Sequence, residues 1–167
     1  FSVSTVRRAL SDLPDVNPET RRQVKEVAER LNYRKNFLAS GLVKNRTHML
    51  GVLIPDLELT YFPSVIMGLE EAANRLNYRL LLLHSRYQLD KLLDGLRTLA
   101  SYRVDGILLS PVPGEHQAEI LQTINEIEPP CVFIDEFFPD SDVCHVSTDD
   151  RQGMAQAMDY LVNLGHR

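Results

Sequence analysis

Asp56, Ser85, Ser110, Asp135 and Asp149 each stand just behind a short apolar run. Carboxylates and hydroxyls in such places hydrogen-bond a small polar ligand or cap a loop. Any one of them alone reads as a loop cap; a row of them along one edge reads as a polar ligand site. Other chemistries lack their residues. His48, His84, His116, His145 and His166 show no HExxH or other ligand spacing, so no metal is expected. Cys131 and Cys144 form no CxxC pair or disulfide framework, and reduced cytosolic thiols are the default reading. There is no GxGxxG behind the first apolar run, no GxxxxGK[ST] and no GxSxG, so a bound cofactor is not expected. An enzyme using Asp135 or Asp149 as acid or base finds no nucleophile or metal beside either, and the sequence reads as a non-enzyme.

A second chemistry is cationic. Over the whole 167 residues the formal charge is −5. Residues 1–46 nevertheless hold ten Lys and Arg against five Asp and Glu, a net +5, and the remainder carries −10. A basic head on an acidic body points to a polyanion partner for the head. No apolar run approaches the roughly 20 residues of a membrane helix, and no basic-then-apolar leader opens the sequence.

These side chains need elements to hold them. Residues 3–10 predict a short helix capped by Ser2 or Ser4, with Val3, Val6 and Leu10 on one face. Asn17-Pro18-Glu19 starts a second helix, to about Leu31, with Val24, Val27, Ala28 and Leu31 as its apolar stripe. Residues 34–48 are basic and poor in core-forming side chains, and read as a bridge. From Met49 onward, runs at 49–55, 79–84, 106–111, 131–135 and 143–147 alternate with helical spacing at 62–77, 88–102, 115–128 and 150–164. That alternation predicts an α/β body, a doubly wound parallel sheet covered by helices. Ligands bind outside the carboxyl ends of such strands, where the polar row falls.

The residues also carry a resemblance. S-x-S-T-V-x-R-x-L at 2–10, D-V-N-P-E-T-R-R-x-V at 15–24 and L-N-Y-x-x-N at 31–36 resemble the DNA-binding module of the lactose-repressor family of bacterial transcription regulators. LGVLIPDLELTYF, GLEEAANRLNY, VDGILLSP, FID and VSTDDRQGMAQAMDYLVNLGHR follow in the family's order and spacing. The resemblance implies three parts: a partial helix-turn-helix at 1–34, a hinge helix or linker at 35–48, and the N-terminal lobe of a periplasmic-binding-protein-like effector domain at 49–167. It also implies a chain that lacks the family's first helix and its C-terminal half.

The implied roles follow residue by residue. Val3, Ser4 and Arg8 match base-reading positions of a recognition helix in the major groove. Ser2, Thr5, Asn17 and Thr20 match phosphate-contacting positions. Asn36, Ala39 and Leu42 match the hinge, with Leu42 as the wedge into the minor groove. Asp56, Tyr61, Phe62, Ser110 and Asp149 match the pocket for a sugar- or nucleoside-like effector. Arg7, Lys35 and Ser40 depart from the family's usual residues. The implied function is a sequence-specific, dimeric, cytoplasmic repressor whose affinity for operator DNA is modulated by a small ligand. The alternative is a periplasmic-type solute-binding protein, which shares the body fold but has no use for a basic head.

Overall fold

The computed structural model describes residues 1–33, 46–58, 60–112, 114 and 116–166. The chain divides into two compact units, Phe1–Ser40 and Gly41–Arg167. Asn36, Ala39 and Leu42 lie outside the described residues, as do Lys35 and Ser40.

In the first unit, α1 (Val3–Ala9) and α2 (Pro18–Arg30) are joined by a run of turns over residues 10–17. Ser2 is the cap of α1: its Oγ accepts from the Thr5 N–H at 3.1 Å. Asn17 caps α2, its Oδ1 accepting from the Glu19 N–H at 2.9 Å, with Pro18 at the first helical position. Ala9, Val16 and Val24 form the buried core, with Val6 and Leu10 packed against it. Of the stripe expected on α2, only Val24 is buried. Val27, Ala28 and Leu31 instead line an open apolar groove of about 610 Å³ with Phe1, Val6, Leu10 and Tyr33. Two helices share a single line of contact, whereas an amphipathic stripe needs neighbours across its full width.

The second unit is a five-stranded parallel sheet in the order β2-β1-β3-β4-β5. Its strands are β1 (Met49–Ile54), β2 (Arg79–His84), β3 (Gly106–Leu109), β4 (Cys131–Ile134) and β5 (His145–Val146). Its helices are α3 (Tyr61–Arg75), α4 (Leu89–Ser101), α5 (Gln117–Glu126) and α6 (Asp150–Asn163). Strand side chains alternate between faces. Val52, Ile54 and Ile134 meet Phe62, Val65, Ile66 and Leu69 of α3 on one face. Leu53, Ile107, Leu109 and Phe133 meet Leu92, Leu96 and Leu99 of α4 and Ile120 of α5 on the other. The sheet is therefore doubly wound, as the alternation of runs predicts.

Two expectations change. Burial on both faces holds for β1 and β3, but β2 is only partly buried and β5 is exposed, because both are edge strands. α6, expected among the covering helices, buries none of its residues. The faces of this small sheet are already occupied by α3 and by α4 with α5. Met154, Met158, Tyr160 and Val162 of α6 face solvent.

Candidate functional site

The polar row sits at the carboxyl edge of the sheet. The chain leaves β1 for β2 on one side and returns to β3 on the other, so the strand order reverses between β1 and β3. At that switch point connecting segments diverge and open a crevice, the usual ligand position in open α/β sheets. Asp56 follows β1, Tyr61 and Phe62 open α3, and Ser110 follows β3. Pro63, in the first turn of α3, costs the helix no hydrogen bond there.

The structure separates these side chains by role. Asp56 Oδ1 accepts from the Glu58 N–H at 2.7 Å and closes a turn. Asp149 caps α6, accepting from the Gln152 N–H at 2.9 Å. Each carboxylate thus has a local structural job and keeps lone pairs to spare. Phe62 is 3% exposed and belongs to the core under α3. Tyr61 is 42% exposed, its ring edge-on to Phe62 with centroids 5.1 Å apart. Burial raises the Tyr61 phenol pKa, and the nearby Asp135 carboxylate raises it further. Tyr61 is therefore a neutral phenol, able to donate a hydrogen bond.

Ser110 is 1% exposed and its Oγ has no hydrogen-bond partner among the described residues. Ser85, just after β2, is fully buried and equally unpartnered among the described residues. A buried hydroxyl without a partner costs free energy, so two of them flanking the end of β1 mark a polar spot in an apolar layer. Asp135 adds a third feature: its φ is 69°, in the left-handed region. Its N–H donates to the Val146 carbonyl at 3.0 Å, which holds the bend. Strained backbone of this kind clusters at ligand sites. Asp135 and Ser85 belong to the polar row read from the sequence, but the family resemblance does not include them in the pocket. The signal was a polar residue closing an apolar run; the missing information was which strands are neighbours.

The head presents a different surface. Val3, Ser4, Arg7 and Arg8 are exposed on α1, and Val3 is 87% exposed. An aliphatic side chain so fully in water lacks a core role, whereas major grooves offer thymine methyls to such groups. Ser2 Oγ and Thr5 Oγ1 lie 2.9 Å apart at the start of α1. Asn17 is exposed and Thr20 half-buried in the first turn of α2. Most α2 cations are engaged within the unit. Arg22 bridges Glu19 and Glu26 at 2.7 and 2.6 Å, and Lys25 reaches Asp12 at 2.6 Å. Lys25 holds the Asp12 carboxyl below its ordinary range, and Arg22 does the same for Glu19. Arg8 pairs with Asp15, and Arg7 has no ion pair among the described residues.

Among the described residues no three His, Cys, Asp or Glu side chains gather as a metal site, and no helix is long and apolar enough to cross a membrane. Burial pushes the Cys131 thiol up to about 11, which keeps it in the thiol form at neutral pH.

Residues 47–167 match the sequence family described as periplasmic binding proteins and sugar binding domain of LacI family. Catabolite control protein A of Staphylococcus epidermidis is 35% identical over 164 residues, covering 98% of this chain and 49% of that protein. The HTH-type transcriptional regulator RegA of Clostridium acetobutylicum is 30% identical over 167 residues, covering 99% of this chain and 49% of that protein. A solved structure of the Lac repressor dimer bound to operator and the anti-inducer ONPF has the same fold. Its TM-score is 0.85 at 22% identity, over 99% of this chain and 50% of that one. The chain spans about half the length of the relatives it matches.

Proposed function

We infer the function from one premise: the chain belongs to the LacI family. The protein that carries it is a sequence-specific DNA-binding transcription regulator. It is a repressor whose hold on operator DNA is set by a small sugar- or nucleoside-like effector. It works as a homodimer in the bacterial cytoplasm, without catalysis or a cofactor. One observation carries this reading: a helical head with an exposed Val3, Ser4, Arg7 and Arg8 face shares a chain with a sheet whose β1/β3 switch point is polar. The relatives' names, transcriptional regulator and catabolite control protein, favour it over a solute-binding protein.

In this reading Val3, Ser4 and Arg8 meet base edges, Arg8 taking guanine O6 and N7. Ser2, Thr5, Asn17 and Thr20 meet phosphates. Asn36, Ala39 and Leu42 belong to the hinge. Asp56, Tyr61, Phe62, Ser110 and Asp149 form this lobe's share of the effector pocket. Tyr61 presents the ring, Phe62 supports it from below, and Ser110 supplies a hydroxyl at the switch point. Effector binding shifts a two-state equilibrium only if its affinity differs between DNA-competent and DNA-free forms.

The experiment is fluorescence anisotropy of the full-length protein against a randomised duplex pool, followed by a sugar and nucleoside panel on the selected duplex. A selected duplex preferred at least about 10³-fold over bulk DNA, with one compound altering its affinity, is the expected result. Binding of a panel compound with no duplex preference at all points to the solute-binding alternative.

A further inference from the structure

Arg8 differs from the other engaged cations of the head. Arg22 and Lys25 belong to α2, and Arg22 pairs along its own helix. Arg8 lies in the last turn of α1 and its guanidinium pairs with the carboxylate of Asp15, which belongs to the segment between the helices. The pair is half-open to solvent, with side chains 48% and 45% exposed. The rest of the guanidinium makes no hydrogen bond among the described residues.

That geometry has a chemical consequence. A guanidinium offers five N–H donors in a rigid planar fork, while its stem is flexible. A carboxylate beside the guanidinium restricts the swing of that stem, and with five donors the fork keeps N–H groups to spare for two acceptors of one base. The same negative charge opposes any swing of Arg8 toward a phosphate, the contact that carries no sequence information. Asp15 also brings an acid toward a polyanion, which lowers affinity for every duplex alike.

We propose that Asp15 is a positioning residue that sets sequence discrimination by holding Arg8 in its base-reading orientation, at the expense of overall DNA affinity. The proposal rests on the regulator reading above. Asp15 is exposed and has no other side-chain partner among the described residues, so its replacement leaves the head folded.

The test measures wild-type, Arg8→Ala, Asp15→Ala, Asp15→Asn and Arg8→Ala/Asp15→Ala full-length proteins on the selected duplex and its single-base-pair variants, at several salt concentrations. Arg8→Ala identifies the base pair that Arg8 reads. Asp15→Ala is expected to bind unrelated DNA more tightly, with a salt slope steeper by up to about one ion. Its discrimination at the Arg8 base pair is expected to fall about threefold, the scale of an exposed ion pair. Asp15→Asn keeps an acceptor without charge and is expected to lie between. The double variant is expected to discriminate no worse than Arg8→Ala. A uniform change on all duplexes with Asp15→Ala, or no lost discrimination with Arg8→Ala, overturns the proposal while leaving the regulator reading intact. A wild-type protein with no preferred duplex overturns both.

Discussion

Asp105 is the side chain on which most hydrogen bonds of the body's entry segment converge. It accepts from the Thr47 N–H at 2.7 Å, the Thr47 hydroxyl at 2.9 Å and the His48 N–H at 3.1 Å. Burial works to raise its pKa, but these bonds and one from the Tyr78 hydroxyl outweigh it and hold the carboxyl below its ordinary range. Its contribution to stability is therefore fully present above the unfolded-state pKa of about 3.9 and is lost as pH falls through the lower folded-state value. Urea unfolding should show that loss in the acid range, and Asp105→Ala should flatten it while costing about 2–3 kcal/mol at neutral pH. At the ligand edge, Tyr61→Phe removes one donor and little packing. Melting temperature should hold, while affinity for the effector found by panel screening should fall about fivefold, roughly 1 kcal/mol. The resemblance implies a pocket role for Tyr61, and the structure places it half-exposed at the opening of α3. The resemblance pairs Phe62 with it, yet Phe62 is buried in the core, a distinction that neighbouring aromatics in a sequence do not carry.

Elements were the most legible scale, because periodicity and capping are local. Asn17-Pro18-Glu19 announced α2, and the cap bond is there; Asn17→Ala should destabilise the head by about 1 kcal/mol in thermal unfolding. Boundaries were less legible. α5 stops at Glu126, with Ile127 already extended, because the chain must straighten before Pro129 and Pro130. Close packing between elements was not legible. An added Cβ on Gly51 of β1 would meet Leu99 Cδ1 of α4 at 2.8 Å, and one on Gly95 of α4 would meet Leu53 Cδ1 at 3.0 Å. Leu99 is fully buried and cannot swing away. Gly51→Ala should therefore overpack this layer and cost about 1–3 kcal/mol, read as a lower urea midpoint with an unchanged slope.

At the scale of the whole molecule, charge is distributed by unit. Residues 1–46 carry a net +5 and the remainder −10, so in the proposed regulator the field favours DNA contact at the head and opposes it elsewhere. DNA affinity of the full-length protein should fall linearly on a log–log plot against salt, with a slope near −0.9 for each phosphate neutralised. Effector affinity should barely change over the same range, since the edge groups are short-range hydrogen bonders. By itself the sequence determined the alternation of strand and helix, the caps and the segregation of charge, because each depends on residues within a few positions of one another. The tertiary structure alone decided the order β2-β1-β3-β4-β5, and with it the switch point that brings Tyr61, Ser110 and Asp135 to one edge. It also decided the bond from Thr47 to Asp105 across 58 positions. Which strands become neighbours depends on how crossover helices pack over a shared core, an energy summed over the whole unit and written in no single stretch of residues.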